Sequence, residues 1–218
     1  MSDTLRVWHF AASTLRDGRP LPKRGDILIH TGPVVPCKQG LHGSVRALDA
    51  LNYAPGPWVS RPELRGTIVP HSTDKHAASE RHYLTDYVDA TRVLHEFACW
   101  CATQALDREE AAGRKVDPRS RAGIATKLAW LDGNATNAEL TAARDAAWDA
   151  ARTAALTAAR SAALTAAWSA AWTTSWDAAW DAALTATWPA KRTATWNAQN
   201  TELERRLNAL IKESDHEV

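Results

Sequence analysis

The sequence is short of the features that usually announce a function. Its three cysteines, Cys37, Cys99 and Cys101, are odd in number and lack Cys-x-x-Cys spacing. Neither a disulfide framework nor a zinc motif is therefore expected, and the thiols read as reduced and structural. Excess charge is absent too: a formal net charge of +1 removes the simplest argument for a nucleic-acid partner, since phosphate affinity needs Lys and Arg in excess on one face. No apolar run approaches the roughly 20 residues of a membrane span. The first residues, MSDTLRVWHF, lack the apolar core of a signal peptide. A soluble, cytoplasmic protein without a membrane partner is expected. No complete catalytic signature appears, and no cofactor or metal is expected.

What the 218 residues do contain falls into two styles. Over the first hundred, short apolar and β-branched runs (LRVWHF, GDILIHTG, VVPC, PWVS, GTIVP) are separated by Gly and Pro, the pattern of an α+β domain with short strands. Ser44 is placed to cap a short helix carrying Val45, Leu48 and Leu51, which the turn at 54–57 must end. A second helix is expected from near Asp86 to about Leu106, with Val88, Leu94, Phe97, Ala98 and Cys101 at helical spacing. The stretch DREEAAGRKVDPRS, residues 107–120, is charged and holds Gly113 and Pro118, so it reads as a linker. The expected organisation is an α+β domain over 1–106, able to fold alone, then the linker, then a helical repeat and self-association region over 121–218.

Asp117-Pro118 starts a helix with Ile124, Leu128 and Leu131 on one stripe. Thr136 and Glu139 have capping-box spacing for the next. From Thr141 the sequence advances in four-residue units such as TAAR, DAAW and TAAW. Alanine favours helix, and a period of four moves each large side chain about 40° around it, so the ridge spirals. Trp168, Trp172, Trp176 and Trp180 share one packing face and form the expected oligomer interface. Reflected about Thr174 the ridge is nearly palindromic, which fits an antiparallel homodimer; a helical hairpin would need a turn that Thr173-Thr174-Ser175 does not supply. Further on, Leu203, Leu207, Leu210 and Ile211 form an amphipathic stripe with Glu202, Glu204, Arg205 and Arg206 exposed beside it.

Chemistry points first to CKQGLHGS, residues 37–44. Gly40 and Gly43 flank Leu41-His42 just before the short helix; glycines permit tight turns, and a helix N-terminus attracts anions. A site for a small anionic ligand is therefore expected from Gly40, His42, Gly43 and Ser44. In DKHAASERHYL, alternation sets Lys75, Ala77, Ser79, Arg81 and Tyr83 on one side of a strand, and Lys75 and Arg81 join the candidate site as phosphate ligands. His76 and His82 share the other face about 20 Å apart, too far to hold one metal.

The stretches CKQGLHGSVRALDALNYAPG, VSRPELRGTIVP and DKHAASERHYL resemble an uncharacterised domain family widespread in bacteriophage and bacterial genomes, over about residues 5–104. The shared features are a Cys-x-x-Gly-Leu/Phe-His turn, a Leu-x-Tyr segment and a Lys-bearing strand. The resemblance implies a phage or prophage setting, hence the cytoplasm of an infected or lysogenic host, but no activity. The leading functional expectation is a phage-type accessory protein. Its N-terminal domain would bind a phosphate-bearing ligand or nucleotide, as in sequestering a host signal, and its helix would drive homo-oligomerisation, to a homodimer or a higher homo-oligomer. The alternatives are a nucleotide-dependent transferase using His42, Tyr53 and Glu80, and a structural or host-protein-binding module.

Overall fold

A computed structural model describes residues 4–71, 74–157 and 194–216. Strands and helices are both present, and the chain is of the α+β class. It divides into two compact units, one of residues 1–90 with 200–218, the other of residues 91–199. The Trp168, Trp172, Trp176 and Trp180 ridge lies outside the described residues. No described helix is long and apolar enough to cross a membrane.

The first unit is built on two antiparallel sheets. In the larger, β7 (Lys75–His82) is central: β6 (Glu63–His71) runs along one edge, while β4 (Leu41–Gly43) and β3 (Ile27–Ile29) share the other, and β1 (Leu5–Arg6) extends β6. The register sets His42 opposite Ala77 and Leu28 opposite Arg81. Cross-strand partners project from the same face, so His42 belongs with Lys75, Ala77 and Arg81. The smaller sheet pairs β2 (His9–Ala11), β5 (Trp58–Ser60) and β8 (Val88–Asp89). Val7, Leu64 and Ala78 form one buried cluster, and Ala11, Leu15, Tyr83 and Tyr87 another.

Helix α1 (Ala47–Leu51) begins later than its sequence indicated. Ser44 is committed to pairing with Trp8 through two backbone hydrogen bonds, of 2.7 and 3.1 Å. The N-cap position is therefore Arg46, whose side chain caps nothing, and Val45 is left exposed. The amides of α1 are satisfied from the far end of the chain, by the final helix, here α5 (Ala194–His216). Asn200 Oδ1 accepts from Leu48 N–H at 3.1 Å. Glu204 Oε1 accepts from Ala47 N–H and from the Trp8 indole N–H, each at 3.2 Å. Glu204, expected to be a solvated charge, thus terminates the short helix and ties down a fully buried indole. Leu203, Leu207 and Ile211 are buried as the stripe required.

Helices α2 (Thr91–Ala111), α3 (Pro118–Leu131) and α4 (Asn137–Thr157) belong to the second unit. Ala98, Cys99, Ala102, Ala105, Leu106 and Ile124 form its buried cluster, with Val116 packed against it. The sequence-read starts of α3 and α4 are present, whereas α2 begins at Thr91 and not near Asp86, because Val88 and Asp89 pair with β5 as strand β8. Asp117 caps α3 by accepting from Arg119 N–H at 2.9 Å, with Pro118 in the first turn. Thr136 and Glu139 exchange the two hydrogen bonds of a capping box at 2.7 and 3.2 Å. The segment 107–120 differs from a linker. Asp107 to Ala111 complete α2, and Asp107 and Glu110 pair with Arg121 of α3 at 2.7 and 2.8 Å. Its charges lack apolar periodicity because they serve these ion pairs. The compact units accordingly divide at Ala90 and at Gln199.

Because residues 200–216 satisfy amides of the first unit, Glu204→Ala leaves two buried donors unmade. It should lower stability by about 1–3 kcal/mol, the usual cost of an orphaned buried group, whereas Glu204→Gln keeps an acceptor and should lose less. Urea unfolding of the full chain tests this, with exposed Glu213→Ala as control. Equal midpoints for Glu204→Ala and Glu213→Ala would exclude the capping role.

Candidate functional site

A cleft of about 660 Å³ opens in the first unit, and its lining includes all six residues singled out in the sequence: Gly40, His42, Gly43, Ser44, Lys75 and Arg81. The two glycines serve packing as well as turning. A Cβ on Gly43 would stand 2.4 Å from Val7 Cγ2, and Gly40 has φ +115° with Val34 and the Ala78 carbonyl close by. The first four residues thus enter as a strand pressed against β7 and the Val7 segment. The amides of α1 play no part in holding a ligand, since Asn200 and Glu204 occupy them. The anion-attracting groups are side chains.

Five cations, Arg16, Arg19, Lys38, Lys75 and Arg81, line the cleft against a single carboxylate, Asp17. Asp17 is already paired with Arg19 at 2.6 Å, which holds its carboxyl below the usual carboxylate range. Arg81 is only 4% exposed and Lys75 only 8%. Among the described residues no carboxylate pairs with either. Arg81 donates from Nη1 to the His42 carbonyl at 2.8 Å and lies over the Tyr83 ring. Its Nε is buried without a hydrogen-bond partner. Lys75 Nζ lies 3.9 Å from the Tyr53 ring centre and donates to Cys37 Sγ at 3.1 Å. Buried cations without counter-charges are costly, and an orphaned guanidinium N–H calls for an acceptor.

The imidazole of His42 is committed to the turn before it. Nε2 accepts from Cys37 N–H at 3.0 Å, and the ring also hydrogen-bonds the Gly40 backbone. Burial, followed by Lys75, Arg81 and Arg16, pushes its pKa below the ordinary histidine value. His42 therefore shapes the cleft as a neutral ring. His9, which also lines the cleft, is pushed well below the ordinary value by burial first and then by Arg81, His42 and Arg16. Its Nδ1 lies 2.5 Å from the Tyr87 hydroxyl. Burial raises that phenol's pKa, so the pair is a hydrogen bond between two uncharged groups. Tyr53, 42% exposed, presents a ring at the cleft, while its hydroxyl donates to Asp74 at 2.9 Å. Its phenol is pushed up to about 12 by burial and by that carboxylate.

Glu80, part of the transferase alternative, does not join this group. Alternation turns it to the opposite face of β7, where it pairs with His82 at 2.8 Å. Sequence reading missed His9, Arg16, Arg19, Lys38 and Cys37. Lys38 and Cys37 adjoin the chosen turn and were within reach of the same reasoning. His9 and Arg16 reach the cleft only through the pairing of β2 with β5 and the loop after it, which no local pattern encodes. No family model, curated protein or solved structure matches the chain.

The lowered histidines give a pH test. A group whose folded pKa lies below its unfolded value takes up its proton more readily on unfolding, so stability is full above about pH 6.5 and declines as pH falls toward the folded pKa. Urea midpoints should fall between pH 7.5 and 5.5, and by less in His9→Gln. The shifted carboxylates Asp17, Glu109, Asp117, Glu139 and Glu202 act only at lower pH, since each is held below its ordinary value. A midpoint unchanged or higher at pH 5.5 would contradict neutral, buried imidazoles.

Proposed function

We propose that the first unit is a binding module whose cleft holds the phosphate of a small ligand or nucleotide. The protein on this reading is a phage-type accessory factor that sequesters such a molecule, dimerised through the Trp168 to Trp180 ridge. The observation that carries the reading is Arg81, a buried guanidinium with an orphaned Nε and no carboxylate, in a cleft that a buried Lys75 also lines. A phosphate offers several acceptors in the directions a guanidinium donates, and two negative charges to offset the cations. Exposed Arg16 and Lys38 at the cleft add attraction at its entrance. The Tyr53 ring supports the nucleotide form of the ligand, since a partly exposed aromatic face can stack on a base.

Calorimetric titration of the full chain with inorganic diphosphate and with ADP tests the reading. Both should bind, more weakly as salt rises, and ADP more tightly than diphosphate if Tyr53 stacks. Arg16→Ala and Lys38→Ala, at exposed positions, should keep the fold and weaken binding several-fold each. Arg81→Lys keeps the charge and loses the planar fork, and should weaken it about tenfold or more, the scale of a charge-assisted hydrogen bond. Binding unaffected by all three variants, or no binding of either ligand by the wild type, would refute the assignment.

A further inference from the structure

Cys37 stands apart from the other two thiols. Cys99 and Cys101 are buried, whereas Cys37 is exposed and lines the cleft. Its backbone has φ +66°, in the left-handed region, and it is the one non-glycine residue there among those described. The turn holds it so: Gln39 and Lys38 N–H both donate to the Val35 carbonyl, at 2.8 and 3.0 Å, while Cys37 N–H donates to His42. Lys75 is placed by β7 to donate its ammonium N–H to the sulfur at 3.1 Å. The contact sets a positive charge directly against the sulfur. A second observation at the same cleft points independently to a ligand: the orphaned Nε of Arg81, a residue 4% exposed.

The proton inventory restricts what this sulfur can attack. His42 has its ring nitrogens engaged in the turn, and burial, followed by the nearby cations, holds His9 neutral. Asp17 is tied to Arg19. Among the described residues, His42, His9 and Asp17 are thus unavailable to protonate a departing alkoxide or amine, and the Lys75 ammonium is held on the sulfur. A leaving group that departs as a stabilised anion needs no such donor, and phosphate is one. Sulfur, a soft nucleophile, also favours carbon as the centre attacked. We infer that Cys37 is the nucleophile of a covalent site that takes acyl phosphates, the acyl carbon meeting the sulfur and the phosphate lying against Arg81 and Lys75. This rests on the phosphate reading of the cleft.

In the step itself the thiol proton passes to solvent and the sulfur attacks the carbonyl carbon. The S–C bond forms, the C–O bond to phosphate breaks, and its electron pair leaves on the phosphate oxygen. A Cys37 thioester and inorganic phosphate result, with no change of oxidation state. Lys75 acts as a positioning residue for the sulfur and as a counter-charge to the phosphate.

The test incubates the full chain with acetyl phosphate and follows each cysteine by peptide mass mapping, with diphosphate as competitor. Cys37 should gain one acetyl group, labile to hydroxylamine, while buried Cys99 and Cys101 stay unmodified. Diphosphate should protect it. Lys75→Gln should slow labelling by about tenfold or more, and Lys75→Arg should restore part of the rate, which a merely structural role would not require. Iodoacetate should also alkylate Cys37 faster than neutral iodoacetamide, reversing the ordinary order for a free thiol, and this readout serves if the variants fold poorly. If diphosphate binds but Cys37 is not acetylated, or is acetylated at the same rate in Lys75→Gln, the covalent site is overturned and the phosphate reading stands. If diphosphate does not bind, both fall.

Discussion

The constraint on which the first unit depends is the burial of two cations on one face of its central strand. Lys75 and Arg81 stand six residues apart on β7, which places them on the same side, and both are almost wholly shielded from water. An ion taken out of water without a counter-charge costs several kcal/mol even after relaxation. The fold offers only partial compensation, through the Tyr53 and Tyr83 rings, the Cys37 sulfur and the His42 carbonyl. Those partners also set the rest of the cleft. The carbonyl that receives Arg81 belongs to the strand whose histidine fixes the turn, and that turn carries the exposed thiol. Burial first, and then nearby cations including Arg81, hold His9 and His42 below the ordinary histidine value.

The scaffold under this arrangement draws on both ends of the chain. Strands β1 to β8 come from residues 5–89, yet the short helix beside the cleft is finished by Asn200 and Glu204. A five-residue helix has too few internal hydrogen bonds to stand alone. Accepting groups at its first amides, and the same carboxylate on the Trp8 indole, link its position to the segment that enters the cleft as Trp8 and His9. The carboxylate of Glu204 consequently has a structural task, and the positive end of α1 is closed to other anions.

Much of this was legible in the sequence where the signal is local. Alternation along DKHAASERHYL correctly set Lys75 and Arg81 on one face, and the glycines of CKQGLHGS marked the strand that joins them at the cleft. The capping box at Thr136 and Glu139 and the Asp117-Pro118 start were equally readable, because each is completed within three residues. What escaped depends on distant pairing. Ser44 has the side chain of an N-cap, but Trp8 claims its backbone and moves the helix start. Glu204 looks solvated until the amides of α1 are found against it. The charged stretch from Asp107 mimics a linker because its partners sit on the following helix. Glu80 falls on the wrong face of β7 for the site, which the alternation already contained.

The central claim is that the buried cations of β7 form an anion site, and the Nε–H group of Arg81 reports on it directly. Its nitrogen and proton resonances can be assigned by their disappearance in Arg81→Lys and followed by nuclear magnetic resonance while diphosphate is added to the full chain. The account predicts a saturable shift of that one signal with slowed exchange of its proton, as the orphaned donor gains an acceptor. An Arg81 signal that stays unchanged while diphosphate saturates the protein would contradict it.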